Sequence, residues 1–224
     1  SVISIVYGLL LAKSILKSLR LTEPCIISAG TQICNPTTGE IIWQKIINKK
    51  SLRKVIDVCK KFPKYKLLYN DNTENDYFFG GIYPDHFATS ESVYFLNQIF
   101  VPNAVARTIC QKLNNVDGIA CVTAISQKPG YRDIHIVNST ATKEHAIAQL
   151  LKILKVNRAN SIGIGDGYND IHLFNAVDHR VAMGNAVPEL KNIADEIIDS
   201  VKDAGLFKYF NNLNTLKNSR LEKN

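Results

Sequence analysis

The segment Gly163-Ile164-Gly165-Asp166-Gly167-Tyr168-Asn169-Asp170 gathers two carboxylates and an amide into one short stretch. It follows an apolar run that reads as a buried strand and precedes a helical pattern. Open α/β sheets bind ligands at such places, beyond the carboxyl ends of their strands. Gly165 and Gly167 let the backbone turn tightly and approach a bound group, and Asp166 and Asp170 are spaced to face one hard cation. Magnesium is the expected ion. Two carboxylates leave room for the waters and substrate oxygens that complete its octahedron, whereas zinc prefers nitrogen and sulfur. The competing reading is structural: an Asx-rich turn that caps the helix at Asn169 or Asp170.

The flanking pattern says which elements hold this loop. After Ser139 helix and strand alternate: Glu144 to Leu154 helical, Ser161 to Gly165 a buried strand, Ile171 to Ala176 helical, Arg180 to Met183 a strand, and Val187 to Ala194 a further helix. Such βαβ alternation predicts a parallel sheet covered on both faces. The chain also opens as strand, turn and helix, with Val2 to Val6 ahead of Gly8 and mixed apolar and basic residues to Arg20. Cys25 to Ser28 reads as a strand, and a hairpin turns through Asn35 to Gly39. Between these ends lies an α+β pattern. It has a helical face at Leu52, Val55, Ile56 and Cys59, a helix over Asn103 to Leu113, and strands at Ile119 to Ile125 and Asp133 to Val137. Aromatic residues from Tyr77 to Phe100 crowd this middle part and read as its core rather than a substrate pocket. The polar stretch Asn211 to Asn224 reads as a frayed tail.

Composition narrows the function classes. With 224 residues and 46% hydrophobic side chains the chain has material for one or two domains with real cores, which excludes disorder as its main state. The net charge of +7 comes from Lys and Arg scattered along the chain, a solvated surface rather than a nucleic-acid face. Val2 to Ala12 is too short to span a bilayer, so no membrane partner is expected. Five cysteines with no C-x-x-C pair fit neither a disulfide framework nor a zinc site, and a reducing cytoplasm is the simplest compartment. His135, His145, His172 and His179 show no ligand spacing. Nothing in the sequence sets the oligomeric state.

Gly165 to Asp170, the downstream Val181-Ala182-Met183-Gly184-Asn185-Ala186 and Ala194-Asp195, and the upstream Thr142-Lys143-Glu144 together resemble the haloacid dehalogenase (HAD) superfamily of phosphatases, in its Cof-like, subclass IIB branch. Cys25 to Gly30 extends the likeness. The resemblance implies an α/β fold: a Rossmann-like core with a parallel sheet, formed by residues 1–45 and 136–224, and an inserted α+β cap of the C2 type at 46–135. It implies a magnesium-dependent phosphatase in which an aspartate attacks a phosphate ester and water hydrolyses the aspartyl-phosphate. A small phosphorylated metabolite such as a sugar phosphate is the implied substrate. By position Lys143 matches the catalytic lysine that steadies nucleophile and phosphoryl group, Asp166 the direct metal ligand, and Asp170 a carboxylate that holds metal-bound water or orients the shell. Asn169 matches a contact to phosphate or metal water, Gly8 and Ser28 phosphate-binding positions, and Asn185 a supporting position beside the metal loop, or else a helix cap ahead of Pro188.

Several positions depart from that pattern. The family's first strand ends in Asp-x-Asp-Gly-Thr and carries the nucleophile, yet no Asp precedes Ser28. Asp71 and Asp117 stand in the wrong context to replace it. Tyr7 and Leu9 flank Gly8 where Thr-Gly-Arg is usual, and Ala29 stands where Asn is usual. The expectation is therefore an enzyme seen without its nucleophile strand, with a catalytically silent relative that binds a phosphorylated ligand or a protein partner as the alternative.

Overall fold

The computed structural model describes residues 9–65, 67–70, 76–79 and 92–221. The chain divides into two units, Ser1–Lys155 and Val156–Asn224.

In the first unit helix α1 (Leu9–Ser18) buries Ala12 and Leu16 against Cys25, Ile27 and Cys34. Those residues belong to a small antiparallel sheet, β1 (Cys25–Ile27), β2 (Gln32–Cys34) and β3 (Ile41–Gln44), whose β2–β3 hairpin turns where Asn35-Pro36 predicts. Asn35 carries the turn: its Oδ1 accepts from the N–H groups of Thr37 and Thr38. Between β1 and β2 the backbone adopts positive φ at Ser28 (51°), Ala29 (55°) and Gly30 (103°) in succession.

The α+β module of this unit is a second antiparallel sheet in the order β5-β4-β6-β8-β7, made of β4 (Leu67–Asn70), β5 (Asp76–Phe79), β6 (Phe95–Pro102), β7 (Ile119–Ile125) and β8 (Tyr131–Asn138). Two helices cover one face. Helix α2 (Lys49–Cys59), whose Asn48 cap accepts from the Ser51 N–H, offers Leu52, Val55, Ile56 and Cys59 at helical spacing. Helix α3 (Asn103–Asn114), entered through Pro102, offers Ala106, Ile109, Cys110 and Leu113. These pack on Leu67, Leu96, Cys121, Ile134 and Ile136. Entry to and exit from the module lie side by side, because the Asn138 amide donates to the Ile46 carbonyl at 2.7 Å. Strand β8 runs to Asn138, past the boundary expected at 135, and leads into α4 (Lys143–Leu154).

The second unit contains the parallel sheet that the alternation predicts. Its order is β11-β10-β9, with β9 (Ile162–Gly165), β10 (His179–Ala182) and β11 (Glu196–Ile197). Helix α5 (Ile171–Ala176) follows β9 through a 3₁₀ turn, and the short α6 (Pro188–Lys191) follows β10. Phe174, Ala182, Met183, Ala186 and Leu190 form its core.

Three expectations are corrected or fall outside the described residues. Residues 211–221 of the expected frayed tail belong to helix α7 (Gly205–Leu221): their polar side chains lack a clear apolar period, which hid a helix that starts earlier, beside apolar Leu206 and Phe207. Of the aromatic cluster, Tyr94 and Phe95 are buried as core, but Phe100 is exposed, with positive φ where the β6–β8 pairing shifts register. The opening strand from Val2, with Tyr7, and the aromatics at 83 and 87 lie outside the described residues. All five cysteines are buried thiols, and burial pushes the Cys59 thiol up to about 12, so it behaves as a small hydrophobe.

The Ser28–Gly30 turn has one replaceable and one irreplaceable residue. A Cβ on Gly30 would lie 2.9 Å from the backbone nitrogen of Lys143, at a φ that side chains rarely adopt. Gly30→Ala is expected to lower stability by about 2–4 kcal/mol, read by chemical denaturation. Ala29→Gly is expected to change it by less than about 1 kcal/mol, because relief of left-handed strain offsets added chain entropy. Equal effects of the two changes would contradict this account of the turn.

Candidate functional site

The loop after β9 is organised by one carboxylate. Asp170 is buried, and its Oδ2 accepts from the backbone N–H groups of Asp166 and Gly167, both at 3.1 Å. The chain between them closes into the 3₁₀ turn Tyr168–Asp170, whose capping N–H is the one Asp170 satisfies. Glycine at 165 is obligatory for this, since a Cβ there would lie 2.5 Å from the Asp170 Cβ. Glycine at 167 leaves room for the Asn169 side chain, whose Oδ1 would meet a Cβ at 2.6 Å. The structure therefore makes Asp170 the clamp of the loop.

Asp166 is half-buried and directed by other contacts. Its Oδ2 accepts from the Asn185 amide at 3.1 Å, while its carbonyl accepts from Val187 N–H. Asn185 in turn accepts at Oδ1 from Val201 N–H, so its amide is oriented from both ends. Asn185 thus holds Asp166 and does not cap α6, whose preceding residue is Val187. The other Asp166 carboxylate oxygen accepts no hydrogen bond among the described residues. Asp166, Asn169, Asp170 and Asn185, singled out separately in the sequence, are brought together here.

Two polar contacts that the sequence did not reveal stiffen this unit. Lys191 Nζ donates to the Gly184 carbonyl at 2.6 Å. Arg180 grips Asp195 with Nε and Nη2, and its own backbone N–H joins them. This fork holds the Asp195 carboxyl well below the usual carboxylate range. Asp195 is thus a strand-to-loop tie, legible only once β10 and the residues after α6 are known to be neighbours.

In the first unit Lys143 is the first residue of α4 and is buried. The Gly30 turn lies directly against its backbone. Ser28 is fully buried and its hydroxyl donates to Gln32 Oε1 at 2.7 Å, so this side chain bonds within the turn. Gly8 lies outside the described residues. His135, set aside for want of ligand spacing, is 4% exposed and packs edge-to-face on Phe95, with ring centroids 5.3 Å apart. Burial, followed by the charge of Lys143, lowers its pKa from 6.5 to about 4. The signal for it was the alternation Ile134-His135-Ile136, which turns a polar ring to the face opposite two core residues. Among the described residues no three His, Cys, Asp or Glu side chains cluster as a ready metal cage, and no helix is long and apolar enough to cross a membrane.

Two measurements check this geometry. Asp170→Ala strands two loop N–H groups and is expected to cost about 2–3 kcal/mol, whereas Asp170→Asn, which keeps an acceptor oxygen, should cost less. Equal losses would show that the clamp is not what holds the loop. His135 is neutral in the fold, and the unfolded chain takes up its proton below pH 6.5. Stability attributable to it should therefore fall by roughly 3 kcal/mol as pH drops from 6.5 to 4 and level off below. The difference in unfolding free energy between the parent and His135→Gln reads this directly, and a difference flat across that window would contradict it.

Comparisons with known proteins identify the family. The family model of the haloacid dehalogenase-like hydrolases matches residues 9–210. A protein of Mycoplasma pneumoniae named as a phosphatase is 26% identical over 198 residues, covering 77% of this chain and 67% of its own length. Phosphoglycolate phosphatase 1 of Saccharolobus solfataricus is 36% identical over 80 residues, which are 36% of this chain and 35% of that protein. The chain thus spans about a third of that phosphatase. Among solved structures, the HAD subclass IIB sugar phosphatase BT4131 shares the fold, with a TM-score of 0.71 over 96% of this chain and 99% of that one at 14% identity. The family match over residues 9–210, with the mixed α/β architecture and the glycine-aspartate loop, places the chain in the haloacid dehalogenase-like hydrolase family, in the Cof-like branch.

Proposed function

We propose that this chain supplies the metal- and phosphate-holding residues of a magnesium-dependent phosphatase acting on a small phosphorylated metabolite. The observation that carries the reading is the Asp166 carboxylate: Asn185 holds one of its oxygens, and the Asp170 clamp fixes its loop. The donor set fits magnesium. It offers oxygen only, with Asp166 as direct ligand and Asp170 as its loop-fixing partner, and an ion that keeps several waters needs few protein ligands. Bound magnesium would stabilise charge on the phosphoryl oxygens.

Lys143 contributes from its place at the start of α4. A helix N-terminus favours anions, and an ammonium on its first residue adds a point charge suited to phosphate oxygens. Asn169 offers an amide to phosphate or to metal-bound water. Ser28 shapes the turn beneath Lys143, and Gly8 keeps its matched role near phosphate. In this reading 1–45 with 136–224 form the catalytic core, and 46–135 act as a cap that excludes water from the substrate. The relatives act, by name, on phosphoglycolate and on sugar phosphates, both small phosphorylated molecules. The carboxylate that attacks phosphorus is not assigned to any residue of this chain.

A second reading, a silent relative that binds a phosphorylated ligand without hydrolysing it, is favoured by Ala29, which stands where the family pattern has Asn. Assays of the full-length protein on a panel of phosphate esters separate the two. The enzyme reading expects hydrolysis that stops on chelation of magnesium and falls by about 100-fold or more in Lys143→Ala. Magnesium-dependent phosphate binding without turnover would identify the silent relative, and neither binding nor turnover would overturn both.

A further inference from the structure

The five-stranded sheet of the first unit has one face under α2 and α3; on its other face β6 and β8 place Asn97 directly opposite His135. Both side chains are polar, and neither finds a hydrogen-bond partner among the described residues. Asn97 Oδ1 is buried with no donor near it, and the His135 ring is 4% exposed and touches the Phe95 edge. A buried acceptor left unpaired costs about 1–3 kcal/mol, so Asn97 Oδ1, with the imidazole facing it across the ladder, marks a place completed by something else. Gln98, which is also unpartnered, differs in lying on the helix-covered face.

That surface lies close to Lys143. Phe95 and Val137 pack with Ala29 of the positive-φ turn, and the next residue, Gly30, abuts the Lys143 backbone. The His135 ring lies near enough to feel the Lys143 charge. We propose that Asn97 and His135 form the leaving-group site of the phosphate ester held at Lys143, and that they select an uncharged polyhydroxy group, as in a polyol or sugar phosphate, over a carboxylate. This rests on the phosphate-binding reading of Lys143.

The chemistry of the pair sets the preference. The buried Asn97 acceptor needs a hydroxyl donor and would repel a carboxylate. The imidazole is neutral at physiological pH, so it offers one donor and one acceptor and no positive charge. A site built to hydrogen-bond a substrate hydroxyl discriminates strongly against ligands that leave it unpaired.

Calorimetric titration of the full chain with magnesium, using sorbitol 6-phosphate, phosphoglycolate and inorganic phosphate, tests this. The parent is expected to favour sorbitol 6-phosphate over both others, and Asn97→Leu and His135→Gln should each cut its preference over inorganic phosphate by about tenfold. The His135 ring proton signal in the unmodified protein, assigned by its loss in His135→Gln, should shift with sorbitol 6-phosphate more than with inorganic phosphate. This readout is made on the unmodified protein. Phosphate binding with unchanged preferences in both variants and an unmoved His135 signal, or a preference for phosphoglycolate, overturns the inference alone. Failure to bind inorganic phosphate at all overturns the underlying reading and the inference with it.

Discussion

The candidate metal loop depends on a single carboxylate oxygen that accepts two backbone N–H groups. Asp170 Oδ2 holds the amides of Asp166 and Gly167, and so converts a glycine-rich stretch, which by itself has many conformations, into one turn. Every neighbouring choice follows from that contact. Gly165 has no side chain because the Asp170 side chain fills its space, and Met183 N–H ties the Gly165 carbonyl to the end of the adjacent strand. Asn185 reaches back from the following loop to hold Asp166. The site is thus assembled by backbone groups at the end of a parallel sheet, where such loops are best supported.

The first unit solves a different problem, the placement of a buried lysine. A cation at a helix N-terminus is disfavoured by the helix dipole, so its position is held by packing. The turn from Ser28 to Gly30 supplies that packing through three successive positive-φ residues, with Gly30 against the Lys143 backbone. Strain at Ala29, in a conformation that Asn tolerates better, is tolerated to keep this contact. The physical reason for the family's preference at that position is therefore visible in a chain that departs from it.

Much of this was legible in the residues. The β9 loop announced itself through its glycines and carboxylates, and the parallel strands through apolar runs between helical patterns. Helix α2 was visible in one apolar face. What escaped has a common cause: long-range pairing. Strand β6 pairs with β4 and β8, far from it in the chain, and its mixed residues carry no clean alternation because the ladder shifts register after Gln98. The Asn97–His135 pair exists only through that ladder, and the Arg180–Asp195 fork only through the return of the chain after α6. For the two aspartates the resemblance already separates a direct ligand, Asp166, from a shell-orienting Asp170. The backbone adds what the sequence does not show, that Asp170 clamps the loop while Asp166 keeps an oxygen free of protein hydrogen bonds among the described residues.

Manganese(II), which takes the same oxygen donors as magnesium, offers the most direct test of the central claim that this loop holds the cation. On titration into isotope-labelled protein, paramagnetic broadening should appear first at the backbone amides from Gly165 to Asp170 and at the Asn185 side-chain amide, and excess magnesium should reverse it. Broadening centred elsewhere, or spread evenly over surface carboxylates, would contradict the account.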